Sequence, residues 1–137
     1  MSFLLEMNWL AILACAIVSM VIGAIYYSPK VMGTKWMNEL GYTEEDLKNS
    51  SNPMMYVGSV ILAIVGAIVL SYIIVATGTY GWMGGLKMGV ILGLGIAGSS
   101  VATNHIFEGH SMTYTNIVLL HYLVYYAAAG AIIGALG

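Results

Sequence analysis

Residues 54–76 read MMYVGSVILAIVGAIVLSYIIVA, 23 consecutive positions without a charged side chain. The hydrocarbon core of a bilayer is covered by about 20 apolar residues, so this stretch predicts a transmembrane helix. Pro53 stands just before it, where a missing N–H costs a helix least. Outward from this segment, three more stretches have the same character: Trp9–Tyr27, Gly84–Asn104 and Thr115–Leu136. None of the four contains an acidic residue, and Lys87 lies in the first turn of the third, where its stem can snorkel to the surface. Trp9 and Trp82 mark span ends, where amphipathic rings favour the membrane interface, and Pro29 closes the first span.

Composition agrees with the spans. The 137 residues suggest one domain. Only 7% are charged, against roughly 25% in a soluble domain, and 60% are hydrophobic. Seven of the ten charges fall between Lys30 and Lys48; the others are Glu6, Lys87 and Glu108. Water-facing surface cannot be built from that inventory. The expected fold is therefore an all-α membrane protein, with four transmembrane helices in a compact bundle within a single domain, 1–137. The lipid bilayer is its expected partner.

Several function classes are excluded at this level. The formal charge is −2 with no arginine, so no basic footprint for nucleic acid exists. Cys15 is the lone cysteine, which removes intrachain disulfides and CxxC zinc sites and leaves a small buried side chain. Glu6 precedes the first apolar run where a signal peptide would carry Lys or Arg, and no A-x-A-like cleavage site follows; the first helix is expected to stay. No residue pattern names a cofactor.

Lysine placement predicts orientation. The first connection, 28–53, holds Lys30, Lys35 and Lys48, and counting Lys and Arg puts it in the cytoplasm of a cell-membrane protein. Residues 105–114 then share that side, and both termini lie outside. Within 28–53, Met32, Trp36, Met37 and Leu40 recur at helical spacing while Lys35, Asn38 and Glu39 face elsewhere. That pattern predicts a short interfacial helix ended by Gly41, followed by Thr43 as N-cap of a turn rich in Glu44, Glu45 and Asp46. A solvated loop with an acidic cluster is the alternative.

Small residues recur every fourth position in each span: Ala11, Cys15, Ser19 and Gly23; Ser59, Ala63, Ala67 and Ser71; Gly85, Gly89, Gly93 and Ala97; Ala127, Ala131 and Ala135 beside Gly130 and Gly134. Lipid tails are as apolar as leucine, so membrane helices associate by close backbone approach, which such stripes permit. The third stripe suits packing within the chain as well as a dimer seam. A bundle this small has little interior volume, so a homo-oligomer is expected, with a ligand site or path between subunits.

Polar groups gather toward one face: Tyr26, Tyr27, Ser28, Thr103, Asn104, His105, Glu108 and His110, with His121 about two turns into the fourth span and Tyr125 one turn deeper. His121 is an ionisable group inside a span, which is a functional hypothesis by default; bonding between helices is the plain alternative. His105, Glu108 and His110 in NHIFEGH carry metal-ligand chemistry without a zincin spacing, and a solvated loop is the competing reading. Ser99, Ser100 and the histidines form no nucleophile elbow, and no Gly-rich phosphate cradle occurs, so no catalytic residue is expected. A proton-coupled exchanger would want an intramembrane carboxylate, which the spans lack.

The stretch Gly23-Ala24-Ile25-Tyr26-Tyr27-Ser28-Pro29, followed by Gly33 and Trp36, resembles the small membrane proteins grouped as "domain of unknown function 1761". Their hallmark is Gly-Ala-x-Trp-Tyr-Ser-Pro, then Phe-Gly and a Trp; here Tyr26 replaces the tryptophan and Met32 the phenylalanine. Leu40-Gly41-Tyr42-Thr43-Glu44-Glu45, Phe107-Glu108 and His121-Tyr122 are similar to that family as well. The resemblance implies a four-helix membrane protein and no particular reaction. The residues themselves make Gly23 a place for another helix to approach and Tyr26 and Tyr27 interface anchors.

Three functions are expected from this pattern. The leading one binds or passes a small solute or ion through Tyr26, Tyr27, Asn104, His105, His121 and Tyr125, as a self-associating chain. An accessory subunit or chaperone docking a membrane-protein partner through 30–53 is the second. A metal-dependent membrane enzyme using His105, Glu108 and His110 is the third.

Overall fold

Asn8 begins the first membrane-length helix by accepting a hydrogen bond from the Ala11 N–H at 3.2 Å, and its amide donates to the Leu136 carbonyl at 3.0 Å. One side chain thus caps the start of the first span and ties it to the end of the last. The computed structural model describes residues 2–50 and 52–136, which are helical without a strand: α1 Ser2–Glu6, α2 Trp9–Tyr26, α3 Gly33–Leu40, α4 Glu44–Ser50, α5 Pro53–Thr77, α6 Trp82–Leu92, a π-helical turn Gly93–Gly98, α7 Ser99–Glu108 and α8 Met112–Leu136. Four helices are long and apolar enough to cross a membrane: Trp9–Tyr26, Pro53–Thr77, Trp82–Glu108 and Met112–Leu136.

Local chemistry sets the boundaries. Asn52 accepts from the Met54 N–H at 2.9 Å and Pro53 occupies the first turn of α5. Gly41, Gly78 and Gly109 end their helices in the left-handed region, at φ 73, 67 and 77. Thr43 and Asp46 cap each other, the Thr43 hydroxyl accepting from the Asp46 N–H and the Asp46 carboxylate from the Thr43 N–H. The interfacial helix expected around Trp36 is present as α3, with Met37 buried and Lys35, Asn38 and Glu39 exposed, so the loop alternative falls.

The fourth span is the centre of the bundle; α8 packs on α2, on α5 and, most extensively, on α6. Ala11, Ile12 and Cys15 from α2, Ala67, Leu70 and Ile74 from α5, and Tyr125, Ala129 and Ile133 from α8 form the core. The large apolar side chains left outside, such as Leu13, Ile17, Leu62, Val65 and Ile91, cover the surface that lipid would contact.

The glycine stripes of α6 and α8 meet each other. A β-carbon on Gly85 would overlap the Gly130 carbonyl, one on Gly89 the Tyr126 carbonyl, and one on Gly134 the Gly81 carbonyl. The Gly81 N–H donates to the Gly134 carbonyl at 3.0 Å. The third stripe is therefore used within the chain, and the dimer-seam alternative for it is corrected. Gly23 is a second correction: a β-carbon there would meet nothing within 4 Å, so no described helix of this chain packs against it.

The third span also departs from its expected register. Gly85, Gly89 and Gly93 are buried at four-residue spacing, but the next buried position is Gly98, not Ala97. The π-helical turn Gly93–Gly98 supplies that five-residue step and rotates everything after it. The span then continues past Asn104 to Glu108, so 105–108 are helix and the third connection is only 109–111. Glu108 thus becomes the last residue of a membrane-length helix.

Candidate functional site

After Pro29 the chain doubles back tightly. The Met32 N–H donates to the Tyr26 carbonyl at 3.0 Å and the Gly33 N–H to the Ser28 carbonyl at 2.9 Å. A β-carbon on Gly33 would overlap the Tyr27 carbonyl and lie 2.8 Å from the Ser28 carbonyl, so only glycine fits this return. The turn sets α3 against α8 and brings the Trp36 ring to 5.4 Å from that of Tyr27, at 62°.

Around this contact the aromatic groups form one assembly. Tyr26 donates its hydroxyl to the Ile117 carbonyl of α8, and its ring lies 5.0 Å from Tyr27 and 5.5 Å from His121. His121, half-buried, is 5.1 Å from Tyr27 and 5.4 Å from Tyr122. Burial raises the Tyr27 phenol above its ordinary value, with Tyr26, Tyr122 and Tyr114 adding to the effect.

A second group adjoins it where the third and fourth spans meet. His105 is buried, with its Nδ1 hydrogen-bonded to the Thr115 hydroxyl at 3.0 Å and its ring stacked on Tyr114 at 4.8 Å. His110 sits 4.5 Å from the Tyr114 ring and 5.1 Å from the His105 ring, and its Nε2 is 3.1 Å from the Glu108 carboxylate. Trp36 lies near Tyr114, so the two groups run side by side as a belt. The Ser111 hydroxyl donates to the Glu39 carboxylate at 2.8 Å, holding α3 to the third connection.

Of the residues expected to line a site, Tyr26, Tyr27 and His121 come together, and His105 lies in the neighbouring group. Two do not join them. Asn104 is exposed on the outer surface, because the π-helical turn has rotated it away. Tyr125 is a core residue whose hydroxyl donates to the Ala63 carbonyl at 3.2 Å. The metal-site expectation is corrected too: His105 is engaged with Thr115, His110 with Glu108, and among the described residues no three His, Cys, Asp or Glu groups are placed to hold an ion.

The belt opens into a recess of about 330 Å³ lined by Tyr27, Pro29, Gly33, Trp36, Met37, Glu44 and Lys48. Sequence reasoning placed Trp36 on an amphipathic helix but assigned it no place in the ligand site; it used Thr115, Glu44 and Lys48 only as a span end, a first-turn acid and an orienting charge, and it missed Tyr114. One signal was available, the four-residue spacing of His110 and Tyr114 across the start of a span. The recess itself is lined from α3, α4 and the turn after α2 together, a juxtaposition that no local pattern encodes.

The family model described as "Protein of unknown function (DUF1761)" matches residues 10–134. No curated protein and no solved structure matches the chain.

Proposed function

The chain belongs to the DUF1761 family, whose description assigns no activity, and we propose from the geometry of the belt that it binds a small solute at one membrane face. The observation that carries this is the recess of about 330 Å³ walled by Tyr27 and Trp36. That volume is at the lower end of small-molecule sites, and its mix of apolar wall with a few polar groups is what such sites use. Pro29, Gly33 and Met37 supply the apolar wall, while Glu44 and Lys48 supply charge.

Binding is favoured over passage by what lies beyond the belt. Ala11, Ile12, Cys15, Leu70, Ala129 and Ile133 are closely packed and nearly inaccessible, so the described core of the chain is apolar and filled rather than a polar route.

Native mass spectrometry of the full-length protein tests the proposal. The parent should retain a stoichiometric adduct, and a Trp36→Ala variant of unchanged helical content should lose it. Identical adduct patterns on parent and variant would remove the recess from consideration.

A further inference from the structure

Glu44 and Lys48 stand one helical turn apart on α4, about 6 Å along its axis at 1.5 Å per residue, and both line the recess. Neither forms an ion pair with the other or with any other described residue; the one such pair among described residues joins His110 and Glu108. The acids beside them are differently placed: Asp46 is occupied in capping Thr43, and Glu39 accepts from Ser111. The recess therefore holds one unengaged anion and one unengaged cation on the same wall.

The rest of the lining is aromatic and apolar. Tyr27 and Trp36 pack edge to face, at 62° with centroids 5.4 Å apart, and both line the recess beside those charges. Ring faces attract an ammonium group, tryptophan most strongly. A lone cation entering the recess meets Lys48, and a lone anion meets Glu44; each is repelled by one of the two. A ligand carrying both charges satisfies both.

We infer that the recess is a zwitterion site, taking an ammonium group against Glu44, Tyr27 and Trp36 and a phosphate or carboxylate against Lys48. This deepens the proposed solute binding and rests on it. The shared chemistry belongs both to soluble zwitterions and to the headgroup of phosphatidylethanolamine. The recess lies where the end of a membrane-length helix meets α3 and α4, within reach of either source.

The test uses full-length protein in an uncharged detergent, titrated with phosphoethanolamine, ethanolamine or inorganic phosphate. A second arm uses discs of mixed phosphatidylethanolamine and phosphatidylglycerol, with bound lipid counted by mass spectrometry. Phosphoethanolamine should bind about tenfold tighter than either half alone, the scale of one added cation–π or charge contact. Glu44→Gln and Lys48→Gln, both at exposed positions, should each remove that advantage. Preference for the free compound identifies a soluble ligand; selective retention of phosphatidylethanolamine without it identifies a headgroup; both support the inference. Equal binding of the three probes with no lipid preference, or a preference unchanged in both variants, overturns it. In either case an adduct that still depends on Trp36 would leave solute binding itself standing.

Discussion

Gly85 of the third span and Gly130 of the fourth face each other so closely that each backbone carbonyl fills the space a β-carbon on the other would need. The relationship extends along the pair, from Gly81 against Gly134 to Gly93 against the Tyr126 ring. It makes the fourth helix the axis of the bundle and sets the height at which His105 and Thr115 meet. Tyr126 then spans the gap to α5, with its hydroxyl 3.1 Å from where a β-carbon on Gly66 would be.

Gly85→Ala and Gly130→Ala should each destabilise the protein by at least about 1–3 kcal/mol, the usual cost of overpacking, because the obstructing atoms are backbone and cannot swing aside. Gly23→Ala belongs to the same stripe pattern but meets no atom within 4 Å. It should be neutral or stabilising by up to about 1 kcal/mol from helix propensity. Equilibrium unfolding in detergent, comparing the three variants, checks both directions. Similar losses at Gly23 and Gly85 would show that the approach distances do not govern stability.

Gly33→Ala should act on the recess rather than on the spans. The added methyl overlaps the Tyr27 carbonyl, so the turn after Pro29 must open and carry Trp36 away from Tyr27. The expected cost is about 1–3 kcal/mol with helix content retained. Trp36 emission should move to longer wavelength, read in a background where Trp9 and Trp82 are replaced by Phe. Unchanged emission and unchanged stability would show that the turn tolerates a side chain.

How far the sequence disclosed this arrangement depended on whether the cause was local. The spans and the short helix around Trp36 were legible because hydropathy, Pro53 and Gly41 act within a few residues of where they stand. The third span was read four residues short because Asn104, His105 and Glu108 dilute its apolar signal, whereas the helix runs on to the left-handed Gly109. His105 is acceptable there because Thr115 answers it, and that partner lies across a turn. The choice between Asn104 and His105 as the inward residue was settled by the π-helical turn, which shifts phase without any change of composition. Gly23 fails for a related reason: four-residue periodicity marks a face, and only the neighbouring helix decides whether the face is used.

The His105–Thr115 pair should carry measurable coupling between the last two helices. In a double-mutant cycle of His105→Leu and Thr115→Val, the interaction energy should be about 0.6 kcal/mol and no more than about 1.7, the range of side-chain hydrogen bonds between membrane helices. Thr115→Val alone should cost more than the cycle energy, since it leaves the buried Nδ1 without its partner. Strict additivity of the two substitutions would deny the bond a stabilising role.

Alkaline pH should weaken the packing of Tyr27 in a defined direction. Its phenol is held above the ordinary value by burial, with smaller contributions from the Tyr26, Tyr122 and Tyr114 phenols. An unfolded tyrosine ionises near about pH 10. Below that value both states keep the proton and stability does not change. Above it the unfolded chain releases a proton that the folded chain retains, so stability falls as pH rises, by at most about 1.4 kcal/mol per pH unit for this one group. Tyr27→Phe keeps the ring beside Trp36 and His121 but removes the ionisable group. Unfolding followed from pH 9 upward should therefore show a shallower decline for the variant than for the parent, with the two curves together below about pH 10 apart from a constant offset. Parallel curves across the whole range would mean that Tyr27 ionises as freely in the folded protein as in the unfolded chain, and that the belt does not shield it from water.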